Sequence, residues 1–219
     1  MLEKINIQTS DGINVVGNLF GVENPSGWII FLHSMQATKA SYLDIARQFQ
    51  EKGYEGLAID FRGHGNSQFG PEGYLKFTEE DHQRKILDVE SAVRFLESRG
   101  ANAGQISIIG ASIGSNLALL EASKNPKISH VVLLSPGLDY RGITTKNSVT
   151  RLTAGQRVLF VGSEDDNHTV ESVNELFGLV PDGVFKDRII LTDAGHGTTM
   201  LERHPELNQK IIDFIINVK

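Results

Sequence analysis

Cysteine is absent from the 219-residue chain, which excludes disulfide staples, thiolate nucleophiles, Cys-X-X-Cys redox chemistry and Cys-ligated zinc together. A basic excess is missing as well: 21 Lys+Arg stand against 27 Asp+Glu, a formal charge of -6. No run of basic side chains offers a stripe for a phosphate backbone, so no nucleic-acid partner is expected. No apolar stretch approaches the ~18–20 residues of a membrane span, and the start, Met1-Leu2-Glu3-Lys4-Ile5-Asn6, carries neither the basic nor the apolar segment of a signal peptide. The expectation is a cytoplasmic protein with no membrane partner. His-Glu-X-X-His, EF-hand and P-loop patterns are lacking, and Gly63-His64-Gly65 has neither the third glycine nor the helix context of a dinucleotide fingerprint. No cofactor and no metal are implied. Internal repeats, low-complexity tracts and Pro/Ser-rich linkers do not occur, so residues 1–219 read as one domain.

What the chain does contain is a regular alternation. Hydrophobic residues make up 40% and charged residues 22%, the composition of an ordinary globular domain. Short apolar, β-branched runs at Trp28–Leu32, Gly56–Phe61, Gln105–Ile109, His130–Leu134, Arg157–Val161 and Arg188–Thr192 read as buried strands. Segments with helical spacing lie among them, at Ser41–Lys52, Asp81–Arg99, Ile113–Ser123, Val170–Phe177 and Glu206–Asn217. Strand and helix in succession predict an α/β fold with a doubly wound, mostly parallel sheet whose ligands sit at the carboxyl ends of the strands. Ahead of it, Ile5–Thr9 and Asn14–Phe20 flank Ser10-Asp11-Gly12, which predicts an N-terminal antiparallel hairpin.

The most informative stretch is Gly110-Ala111-Ser112-Ile113-Gly114, entered by an apolar strand and left by an Ala/Leu-rich helix. This Gly-X-Ser-X-Gly context is that of a nucleophile elbow. So tight a turn excludes bulk two residues before and after the serine and lifts its hydroxyl above the sheet edge. The helix that follows aims backbone N–H groups at developing negative charge. Outside such a context the same letters are a glycine-bracketed turn with an incidental serine. A serine hydroxyl needs a base, and the base an orienting acid. Of seven histidines, only His196 follows a late apolar strand within a glycine-rich loop, Asp193-Ala194-Gly195-His196-Gly197. The acid belongs at the strand end between them, where Glu164, Asp165 and Asp166 are consecutive. If Ser163 takes the small turn position the acid is Asp166, which we prefer; if Gly162 does, it is Asp165.

The order Ser112, Asp166, His196 resembles that of the α/β-hydrolase superfamily, and the resemblance extends over nearly the whole chain. Asp60-Phe61-Arg62-Gly63-His64-Gly65-Asn66-Ser67 is similar to the family's D-x-R-G-H-G-x-S segment, and Phe31-Leu32-His33-Ser34-Met35-Gln36 stands at its L-H-G-x oxyanion loop. The resemblance implies an oxyanion hole made by the backbone amides of Met35 and Ile113, with Ser34 replacing the usual glycine, and roles for His33 and His64 in bracing loops. It also implies a site with little or no cap, since only about twenty residues, Gly137 to Gln156, follow the strand after which many relatives insert one. Small carboxylesterases and dienelactone hydrolases are the nearest analogies. Ser34, Tyr140 and Met200 follow strand ends and are candidate substrate-binding walls; packing in the core is the other reading of Tyr140 and Met200. The expected activity is serine hydrolysis of carboxylic esters with small or medium acyl groups, the partner a small-molecule ester. A thioesterase, lactone hydrolase or acyltransferase would use the same residues, and a non-catalytic binding protein would keep the fold alone.

Overall fold

The computed structural model describes residues 2–102 and 104–216. Eight strands form one sheet: β1 (Leu2–Gln8), β2 (Asn14–Phe20), β3 (Gly27–Leu32), β4 (Tyr54–Ile59), β5 (Ile106–Ala111), β6 (Ile128–Leu134), β9 (Arg157–Ser163) and β10 (Phe185–Leu191). Their order across the sheet is β1-β2-β4-β3-β5-β6-β9-β10. β1 and β2 form the expected antiparallel hairpin and β2 joins β4 antiparallel, while every pair from β4 to β10 is parallel. Two short strands, β7 (Asp139–Tyr140) and β8 (Ile143–Thr144), make a separate hairpin after β6.

The inner parallel strands β3, β5, β6 and β9 are predominantly apolar because helices cover both faces. In β3, Trp28, Ile30 and Leu32 enter one core layer while Ile29 and Phe31 enter the other; in β9, Val158 and Phe160 alternate in the same way with Leu159 and Val161. The first layer is closed by α3 (Ile86–Ser98), α4 (Ile113–Lys124) and α6 (Asn167–Leu179) through Val89, Leu96, Leu117, Val173 and Leu176. The second is closed by α1 (Leu43–Glu51) and α8 (Glu206–Ile216) through Ile45, Phe49, Leu207 and Ile211. Each fully buried Ile or Leu is worth roughly 1.5–3 kcal/mol relative to exposure, so these two layers are the main favourable term in folding.

Two sequence expectations need correction. The helix expected over Asp81–Arg99 is two: α2 (Glu79–Gln83) and α3. A capping box between Thr78 and Asp81 fixes the first turn. Backbone bonds from Lys85 to His82, Leu87 to Arg84 and Asp88 to Lys85 then tighten the chain into i→i−3 turns. This brings Asp88 against Arg62, where its oxygens accept from the Arg62 backbone N and Nε at 2.9 Å each. The last strand begins at Phe185, not Arg188; at the sheet edge its residues alternate in exposure, so the apolar run Ile189–Leu191 is only its end. Asn217, the end of the expected last helix, lies outside the described residues. The segment from Gly137 to Gln156 holds only the β7–β8 hairpin and one short helix, α5 (Lys146–Val149).

Candidate active site

The turn between β5 and α4 is dictated by two glycines. A Cβ on Gly110 would run into the Gly114 carbonyl, and one on Gly114 into the Leu32 carbonyl of the neighbouring strand. Only glycine lets the helix start so close to the strand it leaves. Ser112 sits at the apex with φ 54° and ψ −121°, a conformation rare for any residue with a side chain. Its backbone N–H is tied to the Leu134 carbonyl at 2.8 Å, so the strain is held by the sheet itself. Ser112 is 7% exposed.

Two loops at the carboxyl ends of β9 and β10 deliver the other groups. β9 ends on Ser163, leaving Asp165 and Asp166 in the turn that opens α6, where Asp166 is the residue before the first helical turn. His196 Nδ1 lies 2.6 Å from Asp166 Oδ2, which also accepts from Thr169 Oγ1 at 2.8 Å. The structure therefore brings Asp166, not Asp165, to the imidazole. Asp165 turns the other way: it accepts from the Ser163 hydroxyl and from the Gly195 backbone N–H at 3.1 Å. Those bonds, the Ser163 hydroxyl first, hold the Asp165 carboxyl below its ordinary range. Ala194 N donates to Ser163 Oγ at 3.0 Å and Gly197 N to Ser135 Oγ at 2.9 Å. The residues flanking His196 are thus pinned to the ends of β9 and β6. Asp193, Gly195 and Gly197 all have positive φ, the backbone price of threading the loop so tightly.

Backbone donors complete the cleft. Ile113 N–H, at the start of α4, and Met35 N–H make no hydrogen bond among the described residues. The Met35 loop is held by two histidines, His33 and His64, whose rings meet at a tilt with 4.9 Å between centroids. His33 accepts from Phe61 N–H at 3.1 Å and donates to the Ser34 carbonyl at 2.7 Å. His64 lies between the carbonyls of Arg62 and Met35, at 3.0 and 2.8 Å. Burial keeps both rings neutral, pulling His33 down to about 3 and His64 to about 4. Asp60 anchors the same corner: its carboxylate accepts from the backbone N–H groups of Lys39 and Asn66 at 2.9 Å each and is ion-paired with Lys39.

Ser34, Tyr140 and Met200 are placed differently from one another. Ser34 Oγ is buried without a hydrogen-bond partner and packs against Gly197, where a Cβ would strike it. Tyr140 stands edge-on to the His196 ring at 6.3 Å and donates to the Ser135 carbonyl at 3.2 Å. Burial pushes its hydroxyl up to about 12, with the Asp166 charge adding to the shift and the Ser112 side chain opposing it. Met200, by contrast, is fully buried in the second core layer, where it offers no surface to a ligand. Sequence reasoning did not single out Lys85 or Asp88, whereas the segment from Ser135 to Tyr140 follows a strand end and reads as cleft lining. Lys85 and Asp88 both fall inside an expected continuous helix.

Residues 23–164, well over half of the chain, match the family model of serine aminopeptidase S33. The chain belongs to the serine aminopeptidase S33 family. This S33 protein carries the α/β-hydrolase fold. It is 28% identical over 144 residues to a serine hydrolase-like protein of Dictyostelium discoideum, covering 66% of this chain and 37% of that protein. It is 26% identical over 183 residues to a polyketide transferase of a Penicillium species, covering 82% of this chain and 60% of that one. The S33 chain therefore spans less than two thirds of the length of these relatives. Among solved structures, dienelactone hydrolase from Anabaena variabilis superposes with a TM-score of 0.82 at 16% identity, covering 99% of this chain and 97% of that one, a likeness of fold. Among the described residues no helix is long and apolar enough to cross a membrane, and no group of three or more His, Asp or Glu side chains could hold a metal ion.

Proposed function

We propose that this S33 protein is a serine hydrolase acting on carboxylic esters of small or medium acyl groups through Ser112, His196 and Asp166. The observation that carries the reading is the 2.6 Å hydrogen bond between His196 Nδ1 and Asp166 Oδ2, on loops at the same sheet edge as the strained Ser112 turn. Asp166 holds the imidazole with its proton on Nδ1, leaving Nε2 as the base. Nε2 takes the Ser112 proton as Oγ attacks the ester carbonyl, and the tetrahedral oxyanion accepts from the unpartnered amides of Met35 and Ile113. The C–O bond to the alcohol breaks as the imidazolium returns the proton to the leaving oxygen. Water, deprotonated by the same imidazole, then attacks the acyl-enzyme, releasing the carboxylic acid and restoring the serine.

Acyl transfer is the second reading, favoured by the similarity to the polyketide transferase of a Penicillium species. It differs only in the final step, where an alcohol replaces water. Both are tested by p-nitrophenyl esters from acetate to decanoate, with and without an added short alcohol. Turnover that peaks at a short or medium chain is the expected result, and a new ester formed with the alcohol marks transfer. Absence of turnover across the whole series contradicts the ester assignment.

A further inference from the structure

A cavity of about 160 Å3 opens beside the Met35 loop, lined by Met35, Gln36, Tyr74, Phe77, His82 and Arg141 among others. Its charge is unusual. Arg141 makes no hydrogen bond or ion pair among the described residues, yet it stands at the tip of the β7–β8 hairpin with φ 57°, followed by Gly142 with φ 79°. A two-residue turn with both φ values positive favours Asn-Gly, so an arginine there is held at a conformational cost. Behind the cavity wall lies Lys85, which has no exposed surface. Its Nζ is 2.9 Å from His82 Nδ1 and 3.6 Å from Met35 Sδ, and it approaches the faces of Phe61 and Phe77. No carboxylate among the described residues pairs with it: the acidic group that acts on it, Asp88, is engaged by the Arg62 backbone and guanidinium.

The Lys85–His82 bond fixes the ring chemistry. With Nδ1 accepting from the lysine, the imidazole proton sits on Nε2, which has no partner among the described residues and belongs to a side chain lining the cavity. Burial, then Lys85 and Arg141, pull His82 down to about 4, so it stays a neutral donor. Burial likewise lowers Lys85 to about 7, with Arg141 adding to that shift and Asp88 opposing it. An unpaired guanidinium and an imidazole N–H thus converge on one cavity backed by a buried amine, with Tyr74 and Phe77 as apolar walls. Tyr74 is itself stacked on His64, 4.1 Å between ring centroids, and His64 contacts the Met35 carbonyl. The cavity is therefore built onto the same loop that presents the Met35 amide.

We propose that this cavity is a carboxylate-binding subsite, so that the preferred ester is one whose acid or alcohol part carries a second, free carboxylate a few methylenes from the scissile bond. Arg141 supplies the forked donor pair that matches a carboxylate, His82 Nε2–H a third donor, and Lys85 a buried amine whose charged form a bound anion favours. The proposal rests on the hydrolase reading of the adjacent site, but its test does not depend on turnover. Titration calorimetry of the Ser112→Ala protein with monomethyl glutarate, against dimethyl glutarate as the neutral control, reads the subsite alone. Binding of the monoanion in the millimolar range or tighter is expected, weakened at least about tenfold by Arg141→Gln, with the diester binding no better than that variant does. Lys85→Met, which removes a buried charge, should weaken the monoanion without lowering the melting temperature. In turnover, the ratio of kcat/KM for p-nitrophenyl hemiglutarate to that for p-nitrophenyl butyrate should fall at least about tenfold in Arg141→Gln. Equal binding of the monoanion and the diester, no heat with either up to about 10 mM, or no effect of Arg141→Gln on the monoanion overturns the subsite. Carboxylate binding through Arg141 in a wild-type protein that cleaves no ester would instead keep the subsite and overturn the hydrolase reading.

Discussion

Ser112→Ala is expected to lower kcat/KM on a short p-nitrophenyl ester by roughly 10³-fold or more while the far-ultraviolet circular dichroism stays that of the wild type. The separation of these effects follows from where the strain is stored. The turn conformation at Ser112 is enforced by the Gly110–Gly114 contact and by the bond from Ser112 N to the Leu134 carbonyl, neither of which involves the side chain. Alanine meets the same backbone cost as serine, so the fold keeps its elbow and loses only the nucleophile. The residual rate would come from the amides of Met35 and Ile113 and from binding. A folded Ser112→Ala protein with wild-type turnover would remove Ser112 from the mechanism.

The second large effect separates two adjacent carboxylates. Asp166→Asn should cost about 10³–10⁴-fold in kcat, whereas Asp165→Asn should cost less than about tenfold. Asp166 Oδ2 is the acceptor for His196 Nδ1; an asparagine that offers its amide there makes Nδ1 an acceptor and moves the imidazole proton to Nε2, the atom that has to act as base. Asp165 acts on the backbone of the loop instead, accepting from Gly195 N–H, and the side-chain oxygen of asparagine can still accept that bond. Steady-state kcat for the two variants, each shown to be folded, decides the matter. Equal mild losses would mean that neither carboxylate orients His196, and a larger loss at Asp165 would reverse the assignment.

Much of this arrangement is legible in the sequence because it is enforced locally. Strands β3, β5, β6 and β9 are buried on both faces, so they read as apolar runs without regard to their partners, and Gly110 and Gly114 mark a turn that no other residue permits. The N-terminal hairpin is equally plain from two strand segments around Ser10-Asp11-Gly12. What the sequence leaves open depends on side-chain direction. Three consecutive acids follow β9, and the choice among them turns on Ser163 being the last residue of the strand, which sends Asp165 toward Gly195 and Asp166 toward His196. Met200 follows a strand end as a cleft residue would, yet the short helix α7 (Thr199–Arg203) turns it into the core. The break between α2 and α3 leaves no proline or glycine behind, because it is made by tightened backbone bonds around Lys85. The cavity formed with Arg141 is invisible for a related reason: His82 and Arg141 are 59 positions apart in the chain and meet only through the packing of the β7–β8 hairpin against α2.

The most direct test of the account is reaction of the native protein with a fluorophosphonate, followed by intact mass and peptide mapping. The account predicts one phosphonyl group per chain, on Ser112, with labelling lost in Ser112→Ala and strongly slowed in His196→Ala. No label on the folded protein, or a label on another residue, would contradict it.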